Sequence, residues 1–194
     1  MQYPLSLSFK KLALSPQISV RDPSGQIRFY VKQKAFKLKE AVTVFADEQQ
    51  TRPLFYMNAD RVIDFRARYH FTDTANNYIG SIKRQGARSI WRARYDIEYN
   101  GQVVFTIQEE NPWMKVADAV FSELPIVGMF AGYVFNPAYS VTAPDGRVLM
   151  RLVKEPAFLE GKFRIEETLD IPEHEEIRII LSMLMMLLLE RRRG

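Results

Sequence analysis

Apolar and polar residues alternate along much of the chain, and the alternation predicts β-strands. In residues 89–99 one face carries Trp91, Ala93, Tyr95, Ile97 and Tyr99, and the other face carries Arg92, Arg94, Asp96 and Glu98. Residues 64–73 repeat this pattern, with Phe65, Ala67, Tyr69 and Phe71 opposite Arg66, Arg68 and His70. A period of two residues is typical of a strand with one buried face. Asn100-Gly101 then predicts a hairpin into the strand that follows.

Further short strands are separated by turn residues. Segments 17–21 and 26–34 flank the turn Asp22-Pro23-Ser24-Gly25, and segments 139–144 and 147–153 flank Asp145-Gly146. Residues 36–47 indicate a strand pair or one bent strand, and 162–169 complete the series. Short strands with regular turns and one apolar face favour a sheet that curls or closes.

The end of the chain has a different pattern. Ile179 to Leu189 is apolar at every position except Ser182, and a helix is expected to begin near Pro172. Eleven apolar residues are too few to span a bilayer, which needs about 20. A helix that is apolar on all sides must be enclosed. We therefore expect Leu184 and Leu188 to be buried inside a barrel formed by the strands.

The middle of the chain interrupts the series of strands. Residues 112–124 place Trp113, Val116, Val120 and Phe121 at helical spacing, after Asn111 and Pro112, which favour a helix start. Residues 126–135 follow without a charge and include Met129 and Phe130. A short amphipathic helix that caps the barrel is one interpretation. The alternative is an exposed patch that contacts a partner or a membrane, with Trp113, Phe121, Met129 and Phe130 as its contacts.

The composition is that of a soluble globular protein. The chain has 194 residues, 47% hydrophobic and 26% charged, and no cysteine, which excludes disulfides, thiolate nucleophiles and cysteine metal sites. The formal net charge is +4, a mild excess that permits an anionic partner. No repeat or interdomain linker is visible, so residues 1–194 are expected to form one domain. We expect a cytoplasmic location, either free or peripheral at the inner face of the membrane.

Three blocks of sequence resemble the LURP-one-related proteins. They are FYVKQKAFKLKEAVTVFAD, ADRVIDFRARYHFTD and IGSIKRQGARSIWRARYDI, and an apolar C-terminal helix follows them. The middle segment 110–139 is similar to uncharacterised bacterial members. That family belongs to a superfamily with the tubby C-terminal domain and the phospholipid scramblases. The resemblance implies a mainly β fold, a closed antiparallel barrel of twelve strands around the hydrophobic helix.

The sequence contains no pattern that indicates catalysis. His70 lies on the polar face of a strand, and His174 lies in the first turn of a helix beside Glu173 and Glu175. Metalloprotease, serine-hydrolase, phosphate-loop, dinucleotide and calcium-loop motifs are absent. We therefore predict a protein that is not an enzyme and that has neither a cofactor nor a metal.

Residues 74–95 contain no acidic residue and carry a candidate anion-binding set. Its members are Lys83, Arg84, Arg88, Arg92 and Arg94, extended by Arg66 and Arg68 of the neighbouring predicted strand. Arginine binds phosphate through two parallel hydrogen bonds. The alternation places Arg92 and Arg94 opposite the apolar face, so we expect both to face solvent. Arg88 lies just before this strand, after Gly86, and is expected to face solvent beside them. The alternative is pairing of these arginines with Asp64, Asp96 and Glu98.

Two function classes remain. The first is a non-catalytic protein that binds anionic phospholipid headgroups or a membrane surface peripherally. The second is a protein-interaction or assembly module, including a homo-oligomer, that uses residues 112–135 and binds no lipid. Nucleic-acid binding is less favoured than either because the basic strands carry no recognition motif.

Overall fold

The computed structural model describes residues 1–10, 17–32, 42–60, 67–85, 94–110, 138–157 and 160–191. These residues form twelve strands and one helix. The strands are β1 (Leu5–Lys10), β2 (Gln17–Arg21), β3 (Ile27–Lys32), β4 (Val42–Phe45), β5 (Pro53–Ala59), β6 (Arg68–Asp73), β7 (Tyr78–Arg84), β8 (Arg94–Tyr99), β9 (Gln102–Glu109), β10 (Ala138–Thr142), β11 (Val148–Glu155) and β12 (Glu160–Glu167). The helix is α1 (Glu173–Arg191).

The strands form one closed antiparallel barrel. Each strand pairs with its neighbours in sequence, and β1 closes the ring by pairing with β12, where Leu5 lies opposite Ile165. Closure removes the unpaired edges that an open sheet would present. The predicted mainly β fold is therefore confirmed, including its twelve strands.

Tight turns connect the hairpins at the positions that the sequence indicates. The turn at Asp22 to Gly25 joins β2 to β3, and Asn100-Gly101 joins β8 to β9. Both Asn100 and Gly101 have positive φ, 50° and 78°, as a two-residue turn of this hand requires. The turn around Asp145 and Gly146 joins β10 to β11; the Gly146 amide donates to the carbonyl of Ala143, and Gly146 has a positive φ of 86°.

Helix α1 fills the barrel. Every residue from Ile179 to Leu189 is at most 8% exposed, including Leu184 at 1% and Leu188 at 2%. The predicted burial of the helix is therefore confirmed. The inward side chains of the strands, such as Phe71 and Ile97, complete one continuous core with it. Within the described parts of the chain, no helix has the length and apolarity needed to cross a membrane.

The helix begins where the sequence predicts. The carbonyl of Pro172 accepts hydrogen bonds from the amides of Glu175 (2.8 Å) and Glu176 (3.0 Å). Acidic residues in the first turn suit the positive end of the helix dipole. The Ser182 hydroxyl donates to the carbonyl of Arg178 at 2.8 Å, the expected way for a buried serine to satisfy its hydroxyl within a helix.

The amphipathic helix expected near 112–124 lies outside the described residues. So do residues 36–41 of the segment 36–47, whose described remainder contains β4.

Candidate functional site

The two ends of the barrel differ in how the chain crosses them. At one end, short described turns join β2 to β3, β4 to β5, β6 to β7, β8 to β9 and β10 to β11, and helix α1 begins there. We call this the hairpin end. At the other end, which we call the rim, the odd-numbered strands up to β11 finish, the even-numbered strands begin, and α1 finishes. Six segments of the chain therefore each follow a described strand that finishes at the rim and precede one that begins there. They are residues 11–16, 33–41, 61–66, 86–93, 111–137 and 158–159.

Positive charge is distributed unequally between these parts of the sequence. The segments outside the described residues contain eleven Lys and Arg and four Asp and Glu, a formal charge of +7. The described residues contain sixteen Lys and Arg and nineteen Asp and Glu, a formal charge of −3. The excess cations of the chain therefore belong to the connections that start and finish at the rim and to the residues after α1.

Four of the seven candidate anion-binding residues are described. Arg68, Lys83 and Arg94 lie on the outer faces of β6, β7 and β8, since their sequence neighbours Tyr69, Ile82 and Tyr95 point into the core. Arg68 lies opposite Lys83 in the ladder, and Lys83 lies opposite Asp96. Arg94 is exposed, as predicted. Arg66, Arg88 and Arg92 lie outside the described residues.

Arg68 already has a carboxylate partner. Its Nε lies 2.8 Å from Oε2 of Glu98, and its Nη2 donates to Oε1 at 3.2 Å. Because Arg68 is on β6 and Glu98 on β8, the pair crosses over β7. On β7, Lys83 lies opposite Arg68 and Ser81 lies opposite Glu98; Ser81 is fully buried. The pairing alternative that the sequence left open is thus realised for Arg68.

The neighbouring carboxylate is occupied as well. Asp96 accepts two hydrogen bonds from the side-chain amide of Gln85, at 2.7 and 2.9 Å. Neither Lys83 nor Arg94 forms a salt bridge with any described residue. These two cations therefore remain available on a face whose acidic groups are already hydrogen-bonded.

Arg84 lies elsewhere, inside the barrel at the rim. Its Nε is 3.6 Å from Oε1 of Glu190, and its guanidinium carbon is 6.0 Å from the centre of the Tyr95 ring. The Tyr95 hydroxyl donates a short hydrogen bond to the same Glu190 oxygen. Burial, and then the bond to Glu190, raise the pKa of Tyr95 far above its usual range. This cluster fixes the last turn of α1 against β7 and β8.

A second buried cation, which the sequence analysis does not predict, lies at the hairpin end. Arg178 is 4% exposed, and its Nε donates to the carbonyl of Ile79 at 2.7 Å. Its guanidinium carbon lies 4.1 Å from the centre of the Tyr99 ring. Burial lowers the pKa of Arg178, and the charge of Glu175 opposes that shift. The available signals were a charged residue near the start of an apolar helix and a tyrosine on the apolar face of β8.

The Tyr99 ring belongs to an aromatic series on neighbouring strands. It is stacked against Tyr78, with 6.0 Å between centroids and 6° between planes. His70 lies 6.1 Å from Tyr78 on the other side. His70 is half-buried beside an aromatic ring, and His174 is exposed. Among the residues that the structure describes, no group of three or more histidine or acidic side chains could hold a metal ion.

The four candidate partner contacts, Trp113, Phe121, Met129 and Phe130, all lie outside the described residues. The strands that precede and follow them, β9 and β10, finish and begin at the rim. The candidate anion-binding and partner-binding sets are therefore connected to the same end of the barrel.

The fold and these clusters define a class of protein: a closed twelve-stranded barrel that encloses its own apolar helix. The family model for LURP-one-related proteins matches residues 27–187, and the chain belongs to that family. No curated protein and no solved structure gives a significant match.

Proposed function

We propose that the protein is a non-catalytic binding protein that docks peripherally on anionic phospholipid headgroups, at the cytoplasmic face of a membrane. Lys83 and Arg94 support the proposal, because they lie on one outer face without described ion-pair partners. Family membership is consistent with a binding domain of the tubby-like kind.

The neighbouring acids strengthen this argument. Exposed cations are commonly offset by carboxylates in weak surface pairs. Here Glu98 forms a salt bridge with Arg68, and Asp96 accepts hydrogen bonds from the side chain of Gln85. Both carboxylates therefore have partners other than Lys83 and Arg94. An anionic headgroup would gain two cations without first breaking a described salt bridge of either residue. Near an anionic bilayer each such cation contributes about 1 kcal/mol.

Vesicle flotation tests the proposal. We expect the protein to float with phosphatidylcholine vesicles that contain phosphatidylserine, to release them in high salt, and to ignore vesicles of phosphatidylcholine alone. The double variant Lys83→Gln/Arg94→Gln should bind less well at an unchanged melting temperature. The matched control, Arg52→Gln/Arg147→Gln, makes the same charge change in the hairpin turns.

Two results would contradict the proposal. One is the absence of binding to the anionic vesicles. The other is equal loss of binding in the variant and the control. A concentration-dependent oligomer that does not bind lipid would instead favour the assembly function of residues 112–135.

A further inference from the structure

We infer that the barrel docks end-on, with the rim facing the anionic membrane and the hairpin end facing away. The inference rests on the proposed function and adds the orientation of the bound protein.

Cations at the rim occupy opposite sides of the barrel. Lys10 ends β1, Lys32 ends β3, and Lys162 lies near the start of β12; all three are exposed and form no salt bridge with a described residue. Lys83 and Arg94 lie at the rim ends of β7 and β8. In a ring of twelve strands, β1 and β7 are six positions apart and face opposite directions.

A flat surface can contact the cations of β1, β3 and β12 together with those of β7 and β8 only at the end of the barrel. Twelve strands at a spacing of about 4.8 Å give a barrel roughly 20 Å across. Charges separated from the membrane by that distance are screened, because the Debye length is about 8 Å at physiological salt. If the barrel lay on its β7–β8 side, Lys10, Lys32 and Lys162 would be too far from the surface to contribute. End-on docking brings all five cations close to it.

Three acids at the rim are already engaged. Glu110 accepts two hydrogen bonds from Arg151, at 2.8 and 2.7 Å. Glu155 lies 3.5 Å from Arg164, and Glu190 is held by Tyr95 and Arg84.

The hairpin end has the opposite character. Acidic residues occupy its turns and the first turn of α1: Asp22, Asp47, Glu48, Asp73, Asp145, Glu173 and Glu175. Two of its arginines are already paired, Arg21 with Glu48 and Arg147 with Asp145. An anionic surface would repel this end, so the charge distribution selects one of the two possible end-on orientations.

A triple variant separates end-on from side-on docking. Lys10→Gln/Lys32→Gln/Lys162→Gln leaves the β7–β8 face intact, and we expect it to bind phosphatidylserine-containing vesicles on the order of tenfold less tightly or worse. The control triple Arg28→Gln/Arg52→Gln/Arg147→Gln makes the same charge change at the hairpin end and should bind like the wild type. Melting curves check that both variants fold.

A label on each end gives a second, independent measurement. The chain has no cysteine, so Gln17→Cys at the rim and Thr74→Cys at the hairpin end each provide one labelling site. We expect nitroxide-bearing lipid in the anionic vesicles to quench a fluorophore at position 17 and to leave one at position 74 unaffected.

The outcomes distinguish the two proposals. If the wild type binds but the rim triple binds equally well, or if the label at position 74 is quenched, end-on docking is wrong and the lipid-binding function stands. If the wild type does not bind anionic vesicles, both proposals fail.

Discussion

The guanidinium of Arg178 lies 4.1 Å from the centre of the Tyr99 ring, inside the barrel at its hairpin end. Arg178 comes from the helix and Tyr99 from β8, so the contact joins the central helix to the wall of the barrel. Because no described carboxylate pairs with Arg178, the ring and the carbonyl of Ile79 are the main compensation for its buried charge.

Tyr99→Leu should therefore destabilise the protein by about 1–2 kcal/mol, because a desolvated cation–π contact of this kind has that magnitude. Urea unfolding at neutral pH measures the change. Tyr99→Phe is the control, since it keeps the ring face and should lose much less. Equal losses in both variants would show that the hydroxyl, and not the ring, carries the effect.

Gly80→Ala should also destabilise the protein, by about 1–3 kcal/mol. A Cβ at this position would lie 3.0 Å from Cδ of Arg178, and the glycine has a φ of 154° that other residues rarely adopt. The same substitution in an Arg178→Ala background separates the steric contact with Arg178 from the strain of the backbone conformation. If the contact dominates, Gly80→Ala costs clearly less in that background, as a double-mutant cycle would show.

Leu184→Asp should abolish soluble folding. The side chain is 1% exposed, so the substitution would bury a charge that has no partner. Leu169→Asp provides the comparison, because Leu169 is 37% exposed and tolerates a carboxylate. The yield of soluble protein and a melting curve are the measurements. A normal melting curve for Leu184→Asp would contradict the enclosed position of the helix.

Tyr95→Phe should cost about 1.5–3 kcal/mol, the usual contribution of a hydrogen bond to a charged group. The substitution removes the donor to Glu190 and leaves that carboxylate with Arg84 alone. Because the folded-state pKa of Tyr95 is raised, its contribution to stability is complete below about pH 10 and is lost as the pH rises further. Urea unfolding should show that the free energy of unfolding falls less between pH 7 and pH 10.5 for Tyr95→Phe than for the wild type.

Acid should weaken the hairpin end. Asp73 accepts bonds from the side chain of Asn77 and from the amides of Asn77 and Ala75, and these bonds lower its pKa. Asp22, Asp47 and Asp145 show lowered pKa values from similar bonds in their own turns. A lowered folded-state pKa means that the stabilisation is present above about pH 4 and is lost as the pH falls through the folded value.

Asp73→Asn tests this dependence. The asparagine oxygen can still accept both amide hydrogen bonds, but it does not titrate. We expect the variant to lose less stability than the wild type when urea unfolding is compared at pH 6 and pH 3. An identical pH dependence would indicate that other groups determine acid sensitivity.

Sequence patterns predict the parts of this fold that local periodicity determines. The alternation in β6 and β8, the Asn100-Gly101 turn and the apolar run in α1 each carry their signal within a few residues. Strand β5 is different, since four of its first residues are half-buried in a row and give no alternation. Its sequence opens with four apolar or aromatic residues in a row, so it carries no period of two by which a strand could be predicted.

The buried clusters could not be predicted for a related reason. Arg178 meets Ile79 across 99 positions of sequence, and Tyr95 meets Glu190 across 95. Alternation places Tyr95 and Tyr99 on the inner face of β8, but it does not fix the helix residue that each one contacts. That choice depends on how far α1 is inserted along the barrel, which is set by packing between distant elements.

The position of α1 in the chain has a consequence for synthesis. All twelve strands precede the helix that fills them, and β1 must wait for β12 to close the ring. While the ribosome is still making α1, the apolar inner faces of the strands have no helix to pack against and stay exposed. The contacts between the helix and the strands, and the pairing of β1 with β12, are therefore available only after these last elements have emerged. Such late closure favours slow folding and leaves the nascent chain dependent on protection from aggregation.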